Sequence, residues 1–169
     1  MDPREKTACF TGHRPEKLFQ PGAPGAEAQV LEIRRSLHAR ILRAVDDGYT
    51  TFLCGMAQGV DLWAGDMVLS LQESIRQLKL VAVLPYPASV RGWPPEWQTR
   101  YLRILKFCTE AVVICPDYRP DCYHQRNRYM VDHASRLIGV WREGCSGGTQ
   151  YTVQYAGKKG LDLDLILLP

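Results

Sequence analysis

A chain of 169 residues suits one domain, residues 1–169, with a core that needs no staples. Hydrophobic residues make up 46% and charged residues 23%, which excludes a largely disordered chain. No apolar run approaches the roughly 18–20 residues of a membrane span, so no membrane partner is expected. The net charge of +3 is too small for a dedicated DNA-coating protein. Of the 21 basic residues 15 are Arg, whose planar fork fits phosphate and carboxylate, although compositional bias gives the same count. The charged start Met1–Lys6 lacks the apolar stretch of a secretory signal, which makes the cytoplasm the expected location. Six cysteines form no C-x-x-C pair, and Cys9, Cys54 and Cys115 lie in apolar runs; reduced thiols and no metal site are expected.

In chain order, Thr7–Phe10 reads as a strand entering the turn Thr11-Gly12-His13-Arg14-Pro15, followed by a Pro/Gly-rich loop. From Glu27 to Asp47, Val30, Ile33, Leu37, Ile41 and Val45 recur at helical spacing, and Gly48 is the expected stop. Thr51–Cys54 is the second strand, with a helix from about Asp61 to Gln77. Leu80–Leu84 is the third strand, followed by a helix over Glu96–Phe107. Ala111–Cys115 is the fourth strand, with a helix over Tyr123–Ser135. Leu137–Trp141 is the fifth, followed by a helix over Thr149–Gly157, and Leu163–Leu168 is the sixth. This alternation predicts an α/β, Rossmann-like, doubly wound and mostly parallel sheet with helices on both faces. Its ligand crevice should lie beyond the carboxyl ends of the strands, which singles out the loops after strands one, two, four and five.

Each of those loops carries residues suited to an anion. In the first, Gly12 allows close backbone approach, Thr11 offers a hydroxyl, Arg14 a phosphate-matching fork and His13 a proton carrier. In the second, Gly55 and Gly59 flank Gln58 and precede Asp61, a pattern fit for a phosphate cradle at a helix N-terminus. It is neither G-x-G-x-x-G nor a P-loop, and Asp61 has a competing role as helix N-cap. In the last, Gly147, Gly148 and Thr149 expose N–H groups and a hydroxyl. Arg126 and Asn127, in the first turns of the helix after strand four, can bind phosphate and read a base edge. The segment Trp93–Trp97 can stack on a base but fits a core edge better.

These motifs, read together from Cys9 to about Gly157, resemble the YpsA-like branch of the SLOG superfamily, the group related to the DNA-processing protein DprA and the LOG proteins. The resemblance implies a Rossmann-like fold and ligand contacts from Gly12, Gly55, Gly59, Gly147, Gly148 and Thr149. One departure stands out. LOG-type phosphoribohydrolases look like P-G-G-x-G-T-x-x-E, and aligning Gly148-Thr149 with the G-T places Thr152 at the catalytic Glu. Threonine cannot act as a carboxylate acid/base at neutral pH, and Gly144-Cys145-Ser146 replaces the Pro-Gly-Gly opening. This counts against LOG chemistry by the same residues.

Three readings follow. The first is a domain that binds or senses a nucleotide or nucleotide-derived small molecule. The second is a nucleotide-processing hydrolase of an N-glycosidic or phosphate linkage, with His13, Asp61 and Asp117 as candidate catalytic groups. The third is a single-stranded nucleic-acid binder of DprA type, a fold-level analogy. The expected cofactor is at most a bound nucleotide; Asp61 and Asp117 can hold Mg²⁺ through a ligand's phosphates. The sequence leaves the oligomeric state open, with a homo-oligomer as one option because related folds often self-associate.

Overall fold

The computed structural model describes residues 1–169. A short 3₁₀ turn, Pro3–Lys6, leads into β1 (Thr7–Gly12), then α1 (Pro15–Leu18), α2 (Ala26–Asp46), β2 (Thr51–Cys54), α3 (Val60–Gln72) and β3 (Lys79–Leu84). They are followed by α4 (Pro95–Phe107), β4 (Glu110–Val113), α5 (Cys122–Asp132), β5 (Arg136–Arg142), α6 (Gly148–Lys158) and β6 (Asp162–Leu168). All six strands are parallel, in the order β4-β3-β2-β1-β5-β6. The chain winds outward from β1 to β4, returns to place β5 on the other side of β1, and ends on β6. The topological switch point therefore lies between β1 and β5, where an open α/β sheet leaves its ligand crevice.

Alternation along each strand divides the apolar residues between two layers. Ala8, Phe10, Phe52, Cys54, Leu80, Ala82, Ile138 and Val140 point to one face. They join α2, α3 and α4 in a cluster of 25 buried residues. Cys9, Leu53, Val81, Val83 and Leu137 point to the other, where α5 and α6 complete a cluster of 10. Trp97 packs in the larger cluster, with its ring 6.0 Å from that of Trp63, and Trp93 meets Tyr101 edge-on at 5.6 Å. The Trp-rich segment thus covers the core edge and not the crevice.

Local chemistry sets the helix ends. Gly48 adopts φ +97°, a left-handed stop that an L side chain resists, and its N–H reaches the Val45 carbonyl. Pro95 opens α4 in the first helical position, where its missing N–H costs nothing. At the switch point Gly139 pairs with Thr11, and a Cβ there would come within 2.7 Å of the Thr11 methyl. A side chain at 139 would push β1 and β5 apart where the crevice opens. No helix is long and apolar enough to cross a membrane.

Candidate functional site

A cleft of about 340 Å³ opens at the carboxyl ends of the strands, beside the switch point. The loop after β1 supplies Thr11, Gly12, His13, Arg14, Glu16 and Lys17. The β2–α3 connection supplies Ala57 and Asp61. The segment after β4 supplies Pro120, Tyr123, His124, Arg126, Asn127 and Met130. The start of α6 supplies Gly148 and Thr149. The four loops expected to matter meet at this one cavity.

The floor is polar and buried. Asp61 is 6% exposed and sits in the first turn of α3, not at its N-cap, which is Gly59. Its Oδ2 accepts the Ala57 N–H at 3.2 Å, and its Oδ1 is buried without a hydrogen-bond partner. Burial pushes the carboxyl up to about 6, against the pull of the Arg126 guanidinium and the Ala57 N–H. Arg126, 7% exposed, donates from Nη1 to the Gly55 carbonyl and from Nε to Asn127 Oδ1 at 2.8 Å. That bond commits the Asn127 carbonyl oxygen and leaves its amide nitrogen on the Gly148 side. His13, 3% exposed, also has a buried Nε2 with no partner. Burial, helped by the Lys17 charge, lowers its pKa and favours the neutral imidazole. Buried polar groups are rarely left unpaired, because each costs about 1–3 kcal/mol. Two such groups in one cleft mark places where a ligand can supply the missing hydrogen bonds.

The rim is mostly cationic, with Glu16 as an exposed carboxylate among its cations. Exposed Arg14 lies over the Tyr123 ring at 5.9 Å, and Arg126 lies over the same ring at 5.6 Å. Lys17 donates to the Ser146 carbonyl at 3.3 Å, tying α1 to the loop that opens α6. Arg142 holds the same short helix through the Lys17 and Leu18 carbonyls at 3.4 and 3.1 Å. The α6 amino end, with Arg14 and Lys17 beside it, presents positive potential to the cleft.

Comparison with known proteins places this geometry. The family model for YpsA, described as the YspA SLOG family, matches residues 8–166. The chain belongs to the YspA SLOG family. It is similar to a UPF0398 protein of Bacillus cereus (strain B4264), 27% identical over 159 residues, which cover 92% of this chain and 84% of that one. A UPF0398 protein of Bacillus thuringiensis (strain Al Hakam) is 26% identical with the same coverage. Among solved structures, DNA processing protein A (DprA) from Streptococcus pneumoniae superimposes with a TM-score of 0.56 at 16% identity. It covers 99% of this chain, which spans about half, 51%, of DprA; the likeness is one of fold.

In this YspA SLOG protein the glycines divide into two groups. Gly12 and Gly148 line the cleft with Thr11, His13, Arg14, Asp61, Arg126, Asn127 and Thr149. Gly55, Gln58, Gly59 and Gly147 do not line it. Gly55 lies beneath Asp61, Met130 and Arg126, where a Cβ would meet Asp61 Oδ2 at 2.8 Å. Gly59 has φ +93°, and a Cβ there would come within 3.1 Å of the His13 carbonyl and of Pro15. The β2–α3 turn therefore packs against the first loop instead of forming an open cradle. Asp117 is exposed on the loop after β4 and outside the cleft, so it does not meet Asp61 across a shared ligand. Thr152, where the LOG pattern has its Glu, is 1% exposed and donates to the Gly148 carbonyl at 2.8 Å. It serves the helix. Tyr123 and His124, in the stretch Tyr123–Tyr129 that carries Arg126 and Asn127, line the cleft with them, and Lys17, which lies in no motif, lines it too.

Proposed function

We propose that the protein binds a nucleotide or a nucleotide-derived small molecule in this cleft. The observation that carries the reading is the unpartnered pair in its walls, Asp61 Oδ1 and His13 Nε2, beneath a rim of Arg14, Lys17 and the α6 amino end. A phosphate suits the rim. A hydroxyl or base N–H suits Asp61, and Asn127 can offer its amide to a base edge. Membership of the YspA SLOG family and the position at the switch point support the same reading.

A thermal-shift screen against nucleotides, dinucleotides, ADP-ribose and cyclic nucleotides, with and without Mg²⁺, tests it. A ligand that binds only the native state raises the melting temperature. A rise with one class supports the reading; no rise at millimolar concentration removes it.

A second reading is hydrolysis of a bound nucleotide. Its support is the Asp61 carboxyl, held near 6, which is protonated in part near neutral pH as a general acid requires. His13 lines the same cleft; Asp117 does not and drops out of this reading. Incubation with nucleotide panels and chromatography for a released base, sugar or phosphate tests it, and unchanged substrates count against it.

A further inference from the structure

We propose that the ligand carries a second nucleoside unit, joined through phosphate, which rests outside the cleft against Tyr151 on α6. This rests on the nucleotide reading above and extends it from a mononucleotide to a dinucleotide.

A second, open hollow of about 440 Å³ adjoins the cleft, lined by Asp121, His124, Gln125, Arg128 and Tyr151. His124 lines both spaces, which makes them neighbours. Three neighbours hold the Tyr151 ring in place. His124 meets it edge-on at 4.7 Å, Tyr155 lies parallel to it at 6.1 Å, and Arg128 lies over it at 5.7 Å. Arg128 Nε also donates to the Tyr151 hydroxyl at 2.5 Å. That bond fixes an exposed guanidinium through Nε. A fixed aromatic ring lining the hollow beside an ordered arginine combines the two things a phosphate-linked base needs, an aromatic partner and a cation for the linker. The one carboxylate in the hollow is already engaged by its neighbours. Asp121 accepts from Gln125 Nε2 at 2.6 Å and lies 3.6 Å from Arg119.

The test is calorimetry on the full chain. Each 5′-mononucleotide is compared with the matching 5′-phosphorylated and pyrophosphate-linked dinucleotides. For one base and linkage the dinucleotide should bind about 10-fold more tightly or better, the order expected of one stacked base. Tyr151→Ala should remove that gain and leave mononucleotide affinity unchanged, while Tyr151→Phe, which keeps the ring, should retain most of it. Should Tyr151→Ala not fold, Arg128→Ala at an exposed position should lower dinucleotide affinity alone. Equal affinity for the two ligand lengths, or a gain that survives these substitutions, overturns the proposal and leaves the nucleotide reading standing. Binding of neither length overturns that reading itself. A six-nucleotide strand binding more than 10-fold tighter than the dinucleotide, with steep salt dependence, overturns the two-unit size.

Discussion

The two faces of the sheet are built from the same alternating strands and end up with different properties. The face under α2, α3 and α4 holds 25 buried apolar residues, among them the stacked rings of Phe10 and Phe52 at 5.8 Å. The face under α5 and α6 holds 10, and beside them Arg126 and Asn127 are buried as polar groups. The carboxyl end of β1 joins the two, since Phe10 belongs to the large cluster and also lines the cleft. The apolar core can therefore offset the buried charge and unpaired acceptor at the strand ends, where Asp61 on α3 and Arg126 on α5 line one cleft. That division yields testable differences.

The largest effect is expected deep in the α2–α4 face. Phe52→Ala removes a ring with no exposed surface and should lower stability by about 3–5 kcal/mol in urea unfolding. Ligand affinity should stay close to wild type where the variant is folded, because Phe52 does not line the cleft. A loss of affinity beyond tenfold in folded protein would break the separation of the faces.

On the cleft side the sign reverses. The Asp61 carboxyl is pushed up to about 6 from an ordinary 3.8, so the unfolded chain releases its proton first as pH rises. Stability must then fall between about pH 4 and 6 and level off above, by roughly 3 kcal/mol at most for this group. Asp61→Asn keeps an oxygen for the Ala57 N–H and removes the buried charge. It should be more stable than wild type by about 1–3 kcal/mol at pH 7.5, with the difference vanishing near pH 4. His13 titrates in both proteins and cancels in the comparison. Urea unfolding at several pH values reads the difference. A less stable variant at pH 7.5 would mean that attraction to Arg126 outweighs the burial of the charge.

Gly59 tests where the faces meet. Its φ of +93° and ψ of −123° suit glycine, and a Cβ would press on the first loop. Gly59→Ala should cost about 1–3 kcal/mol of stability and weaken ligand binding by displacing His13 and Arg14. Unchanged affinity in the folded variant would show that the first loop is held from elsewhere, through Lys17 and Arg142.

Much of this architecture is legible in the sequence, for reasons that differ by residue. Thr51–Cys54 is found to the residue because turn-forming residues bound it on both sides. The α3 helix ends at Gln72, earlier than the Gln77 its spacing predicts. There the Ile75 N–H closes a turn on the Leu71 carbonyl, and Gln72 Nε2 takes the Leu78 carbonyl at 2.8 Å. Ile75 still packs on the core, so the apolar period runs past the helix end. The four residues of α1 are too few to show a period. The cleft-lining loops are predicted by topology alone, yet Lys17 is not, since its partner Ser146 lies 129 residues away. Glycines at strand–helix turns mislead in one respect. Gly59 and Gly12 carry the same sequence signal, which reports that something comes close to the backbone. At Gly59 it is the His13 carbonyl and Pro15; Gly12 is pressed by Val60 and also faces the cleft.

The smallest stability change and a clear binding change should coincide at Arg14. Its side chain is exposed and lies over the Tyr123 ring at 5.9 Å, a contact worth about 0.5–1 kcal/mol at such a site. Arg14→Ala should therefore shift stability by less than about 1 kcal/mol. If Arg14 holds the ligand's phosphate, affinity should fall by about 1.5–3 kcal/mol, the range of a charge-assisted hydrogen bond. The loss should shrink for the corresponding nucleoside, which lacks the phosphate, so calorimetry with nucleotide and nucleoside on both proteins separates the two roles. Equal losses for nucleotide and nucleoside would assign Arg14 to holding Tyr123 in place. The cleft's phosphate contact would then fall to Lys17 and the amino end of α6.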